Sequence, residues 1–345
     1  MNLVELANNA IILILGTIAI AAFGIVFGLL FKGIDRKISA HMQGRIGPPI
    51  IQPFRDVVKL FTKENIVPEN SIPWIFHLAP IIGLAATISI LIYLPLGGFN
   101  PLMTNKGDLI LILYLLIVPS LAMVIGGFSS GSPYAIVGAQ REMATMIAYE
   151  FPLAIIIISI AWKLGSSQTL GLANSFSLAT IVSTPIWNSV TDLGFIGFAI
   201  LLFILIIVTP AELSKIPFDS PEAETEIAGG LLVEYSGRNL AMFYLTDGVK
   251  TIAMASIIVA LFFPYNLSNY IGGLGVYGGY IVDIIFFLIK VFVVIFFSVT
   301  LIRVAIARLK IDQIVYSYWI PFTLISLIGL ILVMWDGAIT NWFGL

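Results

Sequence analysis

Five carboxylates crowd one short part of the chain. Asp219, Glu222, Glu224 and Glu226 lie in the run Lys215-Ile216-Pro217-Phe218-Asp219-Ser220-Pro221-Glu222-Ala223-Glu224-Thr225-Glu226, and Glu234-Tyr235 follows soon after. The run joins two apolar segments, each long enough to cross a membrane. Carboxyl groups a few ångströms apart share protons and titrate over a broad pH range. Such a group can hold or pass cations, which suits ion conduction or proton uptake coupled to a redox event. The competing reading is a solvated loop, the usual fate of a charge run. Asp219 followed three residues later by Glu222 resembles a capping box and predicts a helix through Glu222 and Glu226. Those two would share a face and repel by a few tenths of a kcal/mol. Pro217 and Pro221 break any continuous helix, and Gly229-Gly230 offers a flexible or close-packed point before Glu234.

Other ionisable groups fall inside apolar segments, where each costs about 2.5–3.5 kcal/mol at a helix centre. They are Glu150, Glu212, Asp247, Lys250, Asp283 and Lys290. Asp247 and Lys250 are three apart, so a local ion pair that only holds helices together is one reading. Glu150, in Tyr149-Glu150-Phe151-Pro152, has no basic residue within one turn. It must keep its proton or be compensated from another helix, as a proton relay requires. The candidate relay is therefore Glu150, Glu212, Asp219, Glu222, Glu224, Glu226, Glu234, Asp247 and Lys250.

The elements that position these groups follow from composition. Of 345 residues, 59% are hydrophobic and 10% charged, with mean hydropathy +1.05. That describes a single integral membrane domain over residues 1–345. A hydrocarbon core of ~30 Å needs ~20 apolar residues per helix. Eight segments qualify, at 9–31, 74–96, 107–128, 143–163, 192–213, 239–263, 279–304 and 317–337. The first has no Lys or Arg before Lys32, so it is expected to stay as a helix rather than be a signal peptide. No internal repeat is evident. The expected fold is an all-α polytopic membrane protein with eight transmembrane helices plus interfacial amphipathic helices. One of the latter carries Phe54, Val57, Val58 and Phe61 on one face, between Pro53 and Pro68. A weaker one is expected around 169–190, with Leu170, Phe176, Leu178 and Ile181.

Basic residues set the orientation. Lys32, Arg36, Lys37, Arg45, Arg55, Lys59, Lys63, Arg141, Lys215, Arg238, Arg303, Arg308 and Lys310 fall after odd-numbered segments, against Lys106 and Lys163 on the other side. The bias places those connections in the cytoplasm and both termini outside. The chain has no cysteine, which excludes disulfides, thiolate-held iron–sulfur clusters and c-type haem. His41, read as part of a charged loop, and His77, at a helix mouth, are not placed to share a haem. A formal net charge of -2 with no basic tail gives no sign of nucleic-acid binding. No catalytic centre, cofactor or metal is expected in this chain, so any redox chemistry belongs to partners.

Further landmarks appear in order: Asp35-Arg36-Lys37; Gln43-Gly44-Arg45-Ile46-Gly47-Pro48-Pro49-Ile50-Ile51-Gln52-Pro53; Asp56 with Lys59-Leu60-Phe61; Arg141 with Tyr149-Glu150; Glu212; the acidic run; Glu234-Tyr235-Ser236-Gly237; Arg303 with Arg308; and Asp312-Gln313. Taken together they resemble the H subunit of bacterial NADH–quinone oxidoreductase (complex I) and its relatives in membrane-bound nickel–iron hydrogenases. The resemblance implies an eight-helix membrane protein between a hydrophilic redox arm and antiporter-like membrane subunits. It matches Glu150, Asp219, Glu222, Glu224, Glu226 and Glu234 to a carboxylate path linking the redox site to the ion-pumping arm. It also implies a docking surface for the arm, here expected to include Arg36, Arg45, Gln52, Arg141, Lys215, Arg303 and Arg308. Iron–sulfur clusters and nickel–iron would sit in the hydrophilic partner subunits.

Asp35 stands where complex I members typically carry Glu, and Lys215 where they carry Arg. The Gly47-Pro48-Pro49 run is also shorter. These departures look more like the hydrogenase branch, whose complexes reduce protons or sulfur compounds and need no quinone site. The expected role is an anchor and ion-coupling subunit of such a complex. The alternatives are the quinone-binding H subunit of complex I, a stand-alone secondary ion transporter and an inert structural anchor. The coupled ion, H⁺ or Na⁺, stays open.

Overall fold

The computed structural model describes residues 3–104, 106–166, 175–268, 270–271 and 275–336. Among them, eight helices are long and apolar enough to cross a membrane: Ile11–Met42, Pro73–Tyr93, Asp108–Ser129, Pro133–Gly165, Asp192–Glu212, Gly237–Phe262, Tyr277–Ala305 and Ile311–Trp335. No strand forms among the described residues.

Two helices run past the expected membrane boundary. Helix α1 (Leu3–Met42) continues through Lys32, Asp35, Arg36 and Lys37, so His41 lies in its last turn and not in a loop. Charge alone does not stop a helix; no proline interrupts this stretch, and the turn comes only at Gly44, where φ is +73°. Pro53 then opens α2 (Gln52–Thr62), where its missing N–H costs nothing. The third and fourth helices, α3 (Pro73–Tyr93) and α4 (Asp108–Ser129), form a closely packed pair. Helix α5 (Pro133–Ser166) begins well before the expected position 143 and thus includes Arg141 and Glu142.

The second interfacial helix is not continuous. Its residues 169–174, including Leu170, lie outside the described residues. Beyond them stand α6 (Leu178–Ser183) and one 3-10 turn (Ile186–Asn188), separated by Pro185. Leu178, Ile181 and Ile186 are buried in the protein core, so these pieces are plugs rather than surface floats.

Helix α7 (Asp192–Glu212) leads into the acidic connection, which holds α8 (Glu224–Ile227). Helix α9 (Gly237–Phe262) is the axle of the bundle, and nearly every residue in its second half is buried. Small residues let neighbours approach it. A Cβ on Gly28 of α1 would lie 2.6 Å from the Gly248 carbonyl oxygen, so only glycine permits this crossing. The seventh span runs from α10 (Val276–Ile295) through a π-helical turn (Phe296–Thr300) into α11 (Leu301–Ala305). The eighth runs from α12 (Ile311–Ser317) through a second π-helical turn (Tyr318–Phe322) into α13 (Thr323–Trp335). Pro321, which has no N–H to donate, lies in that second turn.

Charges at the end opposite the basic connections are used for fastening. Asp336 accepts from Thr191 N (3.2 Å) and Gly194 N (3.0 Å) at the start of α7, and also engages the Thr191 hydroxyl and Lys163. Burial pushes the Asp336 carboxyl up, but these donors outweigh it and hold it below the usual carboxylate range. Asp283 accepts from Ser268 N (2.8 Å) and Oγ (2.6 Å). Lys290 donates to the carbonyls of Phe263 (2.9 Å) and Tyr265 (2.7 Å), capping the end of α9.

Candidate functional site

The basic end of the bundle encloses a chamber of about 340 Å³, walled by α1, α4, α9 and the acidic connection. Lys32, Lys215, Glu222, Asp247, Lys250 and Glu212 all line it. A sharp turn after α7 delivers Lys215. Ser214 takes a left-handed φ of +47°, and Lys215 N donates to Pro210 O at 2.8 Å, which reverses the chain toward the chamber.

Asp247 and Lys250 do not pair with each other, contrary to the local reading, because each finds an opposite charge on another element. Asp247 takes Lys32 Nζ at 2.5 Å and Lys215 Nζ at 2.7 Å, so one carboxylate serves two ammonium groups. Lys32 also sits 3.3 Å from the centroid of the Tyr244 ring, a cation–π contact. Deeper in the bundle, Lys250 Nζ lies 2.8 Å from Glu212 Oε1 and donates to Glu212 O (2.7 Å) and Ser120 Oγ (3.0 Å). This pair is nearly sealed from solvent, with side chains 4% and 2% exposed.

Glu142 was not anticipated. It is 1% exposed, its Oε1 has no hydrogen-bond partner among the described residues, and Ser214 Oγ lies 3.4 Å from its Oε2. It is within electrostatic reach of Lys250, Glu222 and Glu212. The expected span began at 143, one residue past it, whereas the helix begins at Pro133. Its helical spacing to Thr145, Tyr149 and Glu150 was the available signal. Glu150 is half-buried, has no ion pair among the described residues, and is within electrostatic reach of Glu212 and Lys250. Acids thus continue from Glu222 through Glu142 and Glu212 to Glu150, with Lys250 between them. Tyr149 joins the same cluster, its hydroxyl 3.5 Å from Ser120 Oγ.

The acidic connection is more tightly built than its sequence suggested. The capping box is absent: Asp219 precedes a 3-10 turn (Ser220–Glu222) without capping it, and α8 starts only after Ala223. Asp219 is instead gripped by Arg308, through Nε–Oδ1 at 2.8 Å and Nη2–Oδ2 at 2.5 Å. That two-pronged grip holds the Arg308 guanidinium still more firmly protonated than usual. Glu222 and Glu226 do not share a helix face. Glu222 lines the chamber, and its burial there raises its carboxyl above the ordinary range against the pull of Lys215. Glu226 points outward to Arg141 at 2.5 Å. Glu224 is exposed at the chamber rim, and half-buried Glu234 is not among the lining residues. Gly230 is the close-packed point: a Cβ there would lie 2.0 Å from Pro221 O.

Most residues expected to dock a partner also make internal bonds. Arg36 pairs with Asp56 (3.2 Å), which Gln52 also contacts (2.8 Å), and Arg303 pairs with Asp35 (3.1 Å). Arg141, Lys215 and Arg308 are engaged as described above. Arg45 is exposed beside Gln43, at a hollow of about 670 Å³ that Arg36 and Arg303 also line. Among the described residues, no cluster of histidine and carboxylate side chains is arranged to hold a metal ion.

A model of the NADH dehydrogenase family matches residues 14–334. The chain is 32% identical to the H subunit of NADH-quinone oxidoreductase from Brevibacillus brevis, covering 91% of this chain and 90% of that one. It is 34% identical to hydrogenase-4 component C of Escherichia coli, over 74% of this chain and 78% of that one. Among solved structures, a chain of the membrane-bound sulfane sulfur reductase, an archaeal respiratory membrane complex, superposes with a TM-score of 0.79 at 31% identity. That alignment covers 93% of this chain and 99% of the other.

Proposed function

The chain belongs to the NADH dehydrogenase family, and we propose that it is the anchor and ion-coupling subunit of a hydrogenase-type or sulfur-reducing respiratory complex. The observation that carries this reading is the set of charges, most of them buried, that lie within electrostatic reach of one another from Glu222 in the acidic connection to Glu150 inside the bundle. A charge arriving near Glu222 acts on Asp247 and its two lysines, on Glu142, and through Lys250 on Glu212 and Glu150. In a medium of low dielectric such shifts are felt strongly over short distances. A redox event in a docked partner would change the protonation of this series, and the change would pass to neighbouring antiporter-like subunits.

The iron–sulfur clusters and nickel–iron belong, on this reading, to hydrophilic partners that dock around Arg45 and the acidic connection. The protein sits in the cell membrane with its basic end in the cytoplasm and both termini outside, as the distribution of Lys and Arg supports. The chamber does not favour a quinone. Charged Lys32, Lys215, Glu222, Asp247 and Lys250 stand in its wall beside apolar Met123, Leu232, Leu240 and Phe243, whereas a quinone site carries only a few polar groups.

Glu150→Gln in the intact complex, reconstituted into vesicles, tests the relay. Normal assembly with diminished ion uptake is expected. Normal assembly with normal uptake would reduce the chain to an anchor.

A further inference from the structure

Helix α2 has three faces. Pro53 and Val57 are buried and Leu60 is half-buried; Val57 packs with Leu29 and Leu245, and half-buried Phe54 packs against the same cluster. Ile51, Val58 and Phe61 are exposed, at 61%, 63% and 43%. They fall within an arc of ~80°. Arg55 and Lys59 occupy the adjoining arc, with Lys63 just past the helix end, and all three are exposed. None of the three forms an ion pair among the described residues. Asp56, the acid within the helix, is taken up by Arg36 and Gln52, which leaves exposed Glu64 as the nearest offsetting charge along the chain.

The bilayer, rather than a soluble protein, accounts for this pattern. Exposed aromatics mark the headgroup level at both ends of the spans: Trp74, Tyr134 and Trp319 at the basic end, Trp162 and Trp335 at the other. Helix α2 lies at the basic end, so its bare apolar strip meets acyl chains and its cationic strip meets headgroups. The loop after it is stitched to the start of α9, with Ile66 N donating to Ser236 Oγ at 2.9 Å, so the helix is fixed at that level.

We propose that the outer faces of α2 form a seat for anionic phospholipids, with Arg55, Lys59 and Lys63 holding the headgroup phosphate and Ile51, Val58 and Phe61 the adjoining acyl chains. The apolar strip holds any lipid; the cations select the anionic one. A basic residue at a membrane surface favours anionic lipid by roughly fivefold. Glu64 offsets one of the three charges, so the net selectivity is roughly 25-fold at low salt.

The test uses the full chain, purified in detergent and exchanged against equal phosphatidylglycerol and phosphatidylcholine, with retained lipid counted by mass spectrometry. The wild type should retain phosphatidylglycerol preferentially, and the preference should fade as salt is raised. The triple variant Arg55→Gln/Lys59→Gln/Lys63→Gln should lose the preference while keeping its total lipid. Val58→Ser/Phe61→Ser should lower both lipids and leave their ratio alone. Equal retention by the wild type, or a preference indifferent to salt, overturns the proposal. So does a triple variant that keeps its preference. If the isolated triple variant still prefers phosphatidylglycerol and the same variant, built into the intact complex, sheds hydrophilic subunits, this face belongs to an acidic protein partner instead.

Discussion

Replacing Lys250 with Met would strand Glu212 in a site where its side chain is 2% exposed. Removing one partner of a buried pair costs about 3–5 kcal/mol, because the remaining charge has neither water nor counter-ion. The opposite change should be milder. Glu212→Gln leaves the ammonium its bonds to Ser120 Oγ and Glu212 O, and Glu142 remains within electrostatic reach. About half the cost is expected for it. In the double variant Lys250→Met/Glu212→Gln neither charge is stranded. Its cost should be about 2 kcal/mol, the contribution of two lost hydrogen bonds. Unfolding of the full chain in mixed micelles of mild detergent and dodecyl sulfate measures all three. Additive losses, with the double variant costing the sum of the singles, would refute the assignment of Lys250 and Glu212 as an interdependent buried pair.

Four further outcomes are expected. Asp336, held below the usual carboxylate range, contributes stability that is present above the unfolded value of about 3.9 and lost as pH falls through its lower folded value. Asp336→Asn should therefore flatten the acid limb of a stability–pH curve and lower the plateau; an unchanged limb would count against the fastening role. Glu222 has the opposite sign. Its raised folded value means stability falls as pH climbs from the ordinary carboxylate range through that value, so Glu222→Gln should remove this decline, as read in the same unfolding assay. Gly230→Ala would drive a methyl to 2.0 Å from Pro221 O at a φ of +54°, costing about 1–3 kcal/mol and loosening residues 220–232 to hydrogen exchange. Gly229→Ala meets nothing within 4 Å and should cost only the strain of its φ of +96°, about 1 kcal/mol.

The eight spans were legible because lipid imposes one simple demand: long apolar helices that satisfy their own backbone. The ends of α1 and α5 were not, because a helix packed against protein does not stop where the hydrocarbon does. Lys32 was therefore read as a connection charge and Glu142 was not singled out, although both are helical and Lys32 lines the chamber. Local spacing also misled inside α9. Asp247 and Lys250 are neighbours in sequence, yet their partners come from residues 32, 212 and 215. The capping-box pattern at Asp219 and Glu222 failed for a related reason, since Arg308 from a distant connection outcompetes a local N–H for the carboxylate. Sequence spacing reports short-range geometry, and charges buried in a bundle are decided by long-range geometry.

Glu142 offers the sharpest test of the relay, because it is within electrostatic reach of both Glu222 at the chamber and Glu212 in the bundle and has a buried oxygen without a hydrogen-bond partner among the described residues. The quantity to measure is the number of ions taken up per electron by vesicles carrying the complete complex with Glu142→Gln. A lowered ratio is expected, with electron transfer and subunit composition intact. A ratio equal to that of the wild type would show that charge does not pass through this carboxyl.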